Sequence, residues 1–210
     1  MPSLPIPVFV ALVLAFACLR VWREHARAST LGLLLGVCAL QSLIIALAQH
    51  YGVPGMRLVQ PVTASLIPPL AWLAYQATAV RGLGRRDLLH GLVPLTVLAA
   101  LLVAPASLDL LLPTVFVGYG AAVLVRAARG ADAQPRALLA NGNIPARIWL
   151  VIGAALILSA LSDALILGAQ IAGRGELQPW IVTVFSVGNL FLIGVFGLSP
   201  HLRGSPEAAA

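Results

Sequence analysis

Within LSALSDALIL, Leu158–Leu167, one carboxylate, Asp163, stands among residues apolar enough to cross a bilayer. An acid at such a depth can hold or pass a proton, meet a polar ligand, or hydrogen-bond a neighbouring helix. Placing Asp at the centre of a spanning helix costs about 2.5–3.5 kcal/mol on insertion scales, so it is expected to face a protein interior rather than lipid. Helical spacing sets Ser159 one turn before it and Gln170 two turns after it, on one face. Other apolar segments offer partners: Tyr75 and Gln76 in one, and Ser186 with Asn189, spaced i,i+3, in another. Together these residues make an expected polar patch. Two roles fit it: a site for an unknown small ligand or a proton, and structural glue between helices.

Other chemistry finds little support. No G-x-S-x-G, H-E-x-x-H or pair of intramembrane carboxylates occurs, and enzymatic activity is not expected. His25, His50, His90 and His201 fall at the ends of apolar segments or in loops and read as interfacial residues. Cys18 and Cys38 have no metal-ligand spacing. Their expected depths differ by roughly 9 Å at the helical rise, which argues against a disulfide. All 13 basic residues are Arg, and without Lys no retinal Schiff base can form. No cofactor or metal is expected.

The elements that must position the patch follow from composition. Of the 210 residues, 60% are hydrophobic and only 10% charged, with a mean hydropathy of +0.97. Soluble domains carry about 25% charged residues, so this surface is built for lipid. Seven segments are long and apolar enough to span: Leu4–Val21, Thr30–Gln49, Leu58–Val80, Leu88–Ala104, Leu108–Val125, Ile148–Ala172 and Leu177–Leu198. They lack the alternation of barrel strands, so helices are expected. The expected fold is an all-α membrane protein: a single seven-helix transmembrane domain over residues 1–200 and a short cytoplasmic tail over 201–210. Eleven arginines lie in one set of alternate loops and in the tail, whereas the other loops hold only Arg57 and Arg174. The positive-inside rule then puts the N-terminus outside and the C-terminus in the cytoplasm. It also explains the basic pI of 10.7 without nucleic-acid contact by this chain.

Two features concern helix shape. Pro68 and Pro69 sit inside the third segment, where they predict a kink and leave the carbonyls near Ala64 and Ser65 in need of partners. Gly32 and Gly36 form a G-x-x-x-G pair in the second, a close-packing face that suits packing within the bundle as well as dimerisation.

The ordered stretches YGVPGMRLVQPVTASLIPPLAWLAYQAT, RRDLLHGLVP, VFVGYGAAVLVRAARGADAQPRALL and LSALSDALIL resemble the membrane-embedded N-terminal part of AraC-type bacterial transcriptional regulators, over roughly residues 1–198. The resemblance implies a sensory module in the bacterial cytoplasmic membrane that signals to a cytoplasmic helix-turn-helix domain. It also implies a homodimer, the arrangement in which such regulators often act. The 210 residues contain no helix-turn-helix, so the chain is expected to be either a piece of a longer regulator or a stand-alone membrane module. A rival resemblance is to lysoplasmalogenase-like membrane hydrolases, which have an SDALL-like stretch late in the chain. That family uses acids on more than one helix, and here the earlier spans supply no second one. A small transporter is the other alternative, although no internal repeat accompanies it.

Overall fold

The computed structural model describes residues 5–24, 30–129 and 146–185. Among them there is no strand, and the chain is an all-helical membrane protein. Among the described residues five helices are long and apolar enough to cross a membrane: Ile6–Arg23, Thr30–His50, Arg85–Val103, Pro105–Ala128 and Ile148–Ile171.

The first two elements form a hairpin. Helix α1, Ile6–Glu24, packs along α2, Thr30–Ile45. Val10 and Leu14 of α1 close on Ala39 of α2. The Cys18 thiol donates to the Gly32 carbonyl at 3.2 Å, and a Cβ on Gly36 would meet Cys18 Sγ at 3.5 Å. The G-x-x-x-G face is therefore used within the chain, against α1. The opposite face of α1 exposes Phe9, Leu12, Phe16 and Leu19, as a lipid-facing stripe should. Both cysteines are free thiols.

Helix α2 widens into a π-helical turn over Ala46–His50, closed by the Tyr51 N–H on the Ala46 carbonyl at 3.1 Å. Gly52 (φ 63°) and Gly55 (φ 81°) make the reversal that follows, a conformation that favours glycine.

The third expected segment is not one kinked helix. It is broken in two: α3, Met56–Ala64, and α4, Ile67–Tyr75, joined by a turn at Ser65–Leu66. The cause is local. Pro68 and Pro69 have no N–H to give to carbonyls one turn back, and they lie in the first turn of α4, where a missing donor costs nothing. The break is closed by the Ser65 N–H on the Pro61 carbonyl (3.1 Å) and the Leu66 N–H on the Thr63 carbonyl (3.3 Å). The Ser65 hydroxyl, fully buried, folds back onto the Val62 carbonyl at 2.7 Å. Beside the break, the Gln41 side chain of α2 donates to the Gln60 carbonyl at 3.3 Å and accepts from the Thr63 hydroxyl at 2.5 Å. Irregular backbone is tolerated at membrane depth only with such protein partners.

Helix α4 ends in a second π-helical turn, Gln76–Val80, closed by the Arg81 N–H on the Gln76 carbonyl at 2.8 Å. A 3-10 turn, Arg85–Gly91, then leads into α5, Leu92–Val103. Of the twelve residues of α5 only Val97 is buried. Helix α6, Leu108–Ala128, and α7, Ala146–Ile171, form the second tight pair. Their backbones touch through glycine. A Cβ on Gly120 would lie 3.0 Å from the Gly153 carbonyl, and one on Gly153 would lie 3.1 Å from the Gly120 carbonyl and 2.8 Å from Leu124 Cγ. Helix α7 stops at Gly173 (φ 69°). The Arg174 N–H reaches the Ala169 carbonyl (2.8 Å) and the Gly173 N–H reaches that of Gln170 (3.0 Å), a Schellman cap. Helical residues 178–185 open the seventh expected segment, whose remainder lies outside the described residues.

Helix α4 sits between the two pairs, against α2 and α6. Its Ala71, Ala74 and Tyr75, with Ala79 of the π-helical turn, are at most 2% exposed and pack with Leu34, Phe116, Val123 and Trp149. Small side chains on α4 let the neighbouring helices approach, the usual device where lipid supplies no hydrophobic drive for association.

Candidate functional site

Side chains of α4 and the π-helical turn after it, the Arg85–Gly91 turn and α6 line a wide-open pocket of about 570 Å³. One wall is apolar: Trp72 of α4 with Val115, Gly118 and Ala122 of α6. The other is polar: Gln76, Arg81, Arg86, Asp87, His90 and Tyr119.

Asp87 organises the polar end. Its carboxylate accepts from Arg81 Nη1 at 2.9 Å and Nη2 at 2.7 Å, a bidentate ion pair, and from the Gly84 N–H at 2.7 Å. The Asp87 N–H in turn donates to the Gly84 backbone carbonyl at 3.0 Å, so the two residues close the start of the 3-10 turn reciprocally. The carboxylate beside it holds the Arg81 guanidinium even more firmly protonated than usual, chiefly through the hydrogen bond. His90 Nδ1 and the Tyr119 hydroxyl share a hydrogen bond of 2.6 Å, with the rings edge to face. Gln76 is about nine-tenths buried and lines the cavity, and among the described residues no group hydrogen-bonds its carboxamide. Arg86 likewise has no ion-pair or hydrogen-bond partner among the described residues. The site thus offers one cation balanced by Asp87, a second, exposed one with no partner among the described residues, and a carboxamide that no described side chain engages.

The expected patch around Asp163 is assembled only in part. Ser159, Asp163 and Gln170 do share α7, but Asp163 is exposed, and no described residue hydrogen-bonds or ion-pairs with it. The Ser159 hydroxyl donates to the Ala155 carbonyl at 2.9 Å, and Gln170 Nε2 to Gln178 Oε1 at 3.4 Å. Tyr75 and Gln76 are not brought to Asp163. The Tyr75 ring meets Trp149 at 5.4 Å, and Trp149 precedes Asp163 by fourteen residues, about 21 Å along the helix. Ser186 and Asn189 lie outside the described residues. Of the described residues of the expected patch, only Gln76 lines the pocket. His90, whose place at the end of an apolar segment reads as interfacial, lines it too, as do Arg81 and Arg86 of the arginine-rich loops. The available signal was the density of polar groups in RGLGRRDLLH, directly after Trp72 and Gln76.

The Tyr75 hydroxyl is buried with no hydrogen-bond partner among the described residues. Tyr75→Phe removes an unpaired polar group and leaves the ring, so the variant should unfold in detergent with stability unchanged or raised by about 1 kcal/mol. A thermal unfolding curve shifted downward would show that the hydroxyl is satisfied in solution.

Comparison of the chain with protein-family models, with curated proteins and with solved structures gives no match.

Proposed function

We propose that this chain is a sensory module of the bacterial cytoplasmic membrane, resembling the membrane part of AraC-type regulators, and that the α4–α6 cavity is where it reads its signal. The observation that carries the proposal is the position of α4. This helix and the π-helical turn that continues it supply Trp72 and Gln76 to the pocket, while Ala71, Ala74 and Tyr75 form the centre of the core. The helix begins at a break, Ser65–Leu66, so it can tilt without bending a continuous helix. Occupancy of the cavity then has a direct mechanical path to the neighbouring helices. A ligand shifts such a bundle only by binding its two states with different affinity, and a helix shared between cavity and core supplies that difference.

In this reading the protein has seven spans. The third is the broken pair α3–α4 with its π-helical end, and the seventh begins at residue 178. The N-terminus is outside. Arg81 and Arg86 line the cavity beside Tyr119, two turns short of Arg126, so the cavity belongs to the arginine-rich, cytoplasmic side. The effector is a helix-turn-helix domain, either encoded in the same frame beyond Ala210 or carried by a partner chain.

Transcript profiling tests the proposal. A strain lacking the gene is compared with strains carrying the wild type or the Pro68→Ala/Pro69→Ala variant, which restores the missing donors and favours an unbroken helix. We expect a small set of transcripts to differ severalfold between the deletion and the wild type, and the straightened variant to hold that set at one level. Identical profiles in the deletion and wild-type strains would overturn the sensory reading.

A further inference from the structure

We infer that the α4–α6 cavity binds an anionic amphiphile, with a phosphate or carboxylate head against Arg86 and Gln76 and an apolar chain along Trp72, Val115 and Ala122. The cavity's charge favours an anion. Asp87 is occupied by three donors from Arg81 and Gly84, whereas Arg86, exposed at the mouth of the pocket, has no partner among the described residues. Gln76, about nine-tenths buried, presents a carboxamide that no described residue satisfies, and its N–H groups suit an oxyanion. The opposite wall is apolar, and the adjoining α5 exposes Leu92 and Leu95 to the bilayer, which selects a ligand with a chain over a fully soluble anion. Basic pockets between helices on the cytoplasmic side are suited to lipid headgroups. Gly118 leaves the cavity open: a Cβ there would meet nothing within 4 Å.

The inference rests on the sensory reading for its consequence in signalling, but the site is tested by binding alone. The full chain is purified in detergent with equal amounts of phosphatidic acid and phosphatidylcholine, and retained lipid is counted by native mass spectrometry. One phosphatidic acid molecule is expected to be held in clear preference to phosphatidylcholine. Arg86→Gln should weaken its retention by roughly fivefold, the effect of one arginine near a lipid headgroup. Gly118→Leu projects a side chain from the apolar wall into the pocket without meeting backbone and should weaken the preference severalfold. Unfolding curves like the wild type's certify both variants. Equal retention of the two lipids, or a preference that both folded variants keep, overturns the inference. So does a titration in which inorganic phosphate saturates the protein while phosphatidic acid does not displace it. Selective lipid binding with unchanged transcripts would sink the sensory reading and leave the site standing, and the reverse pattern would do the opposite.

Discussion

Replacing Gly153 by Leu should destabilise the α6–α7 pair more than any lipid-facing substitution in the chain. The side chain would begin 2.8 Å from Leu124 Cγ and 3.1 Å from the Gly120 carbonyl oxygen. A flexible side chain can step aside, but the carbonyl is part of α6, so the two helices must separate. Overpacking in cores costs about 1–3 kcal/mol, and a contact with backbone belongs at the upper end or beyond it. The comparison that isolates the effect is Gly118→Leu. It is the same exchange, two residues from Gly120 on α6, facing open space. Thermal unfolding of the purified protein in detergent should show a large drop for Gly153→Leu and almost none for Gly118→Leu. Equal curves would mean that α6 and α7 do not meet at these glycines.

Trp149→Ala should have a comparable effect for the opposite reason. Trp149 is 1% exposed and stacks edge to face on Tyr75 at 5.4 Å, joining α7 to the central α4. Truncation leaves a void too deep for the surrounding helices to fill, and losses for buried aromatics run to about 3–5 kcal/mol. In a bilayer the loss is of packing contacts rather than of water expulsion, because the helices associate through van der Waals contact. Trp22, 52% exposed on α1, is the control, and its Ala variant should fall within about 0.5 kcal/mol of the wild type. Denaturant unfolding followed by circular dichroism decides the matter. If the two tryptophan variants unfold together, Trp149 does not hold the core.

How far these features were legible in the sequence differs by kind. Hydropathy reads depth well. Thr30–Gln49 was expected and the helix with its π-helical end runs Thr30–His50, while Ile148–Ala172 was expected and α7 ends at Ile171. Depth does not give azimuth, which is why the neighbours of Asp163 could be named on its own helix and not across from it. Pro68 and Pro69 announced a disturbance. Its size, a full break, depended on Ser65 and Gln41 being placed to satisfy the backbone beside it. Gly120 and Gly153 are far apart in the chain and form no local motif, so their contact follows only from which helices pair. Arg81 and Arg86 had a sufficient explanation as topology signals, and that explanation hid their convergence on one cavity.

The clasp at Asp87 has a mechanical consequence. Three hydrogen bonds tie Arg81, Gly84 and the turn before α5 together, which shortens the slack in the link between α4 and α5. Displacement of the end of α4 is passed on to α5 as a lever arm. Because α5 buries a single residue, Val97, its swing breaks few protein contacts and is resisted chiefly by the acyl chains around it. The fluidity of the surrounding bilayer therefore enters the energetics of moving α4 directly, as the load on that lever.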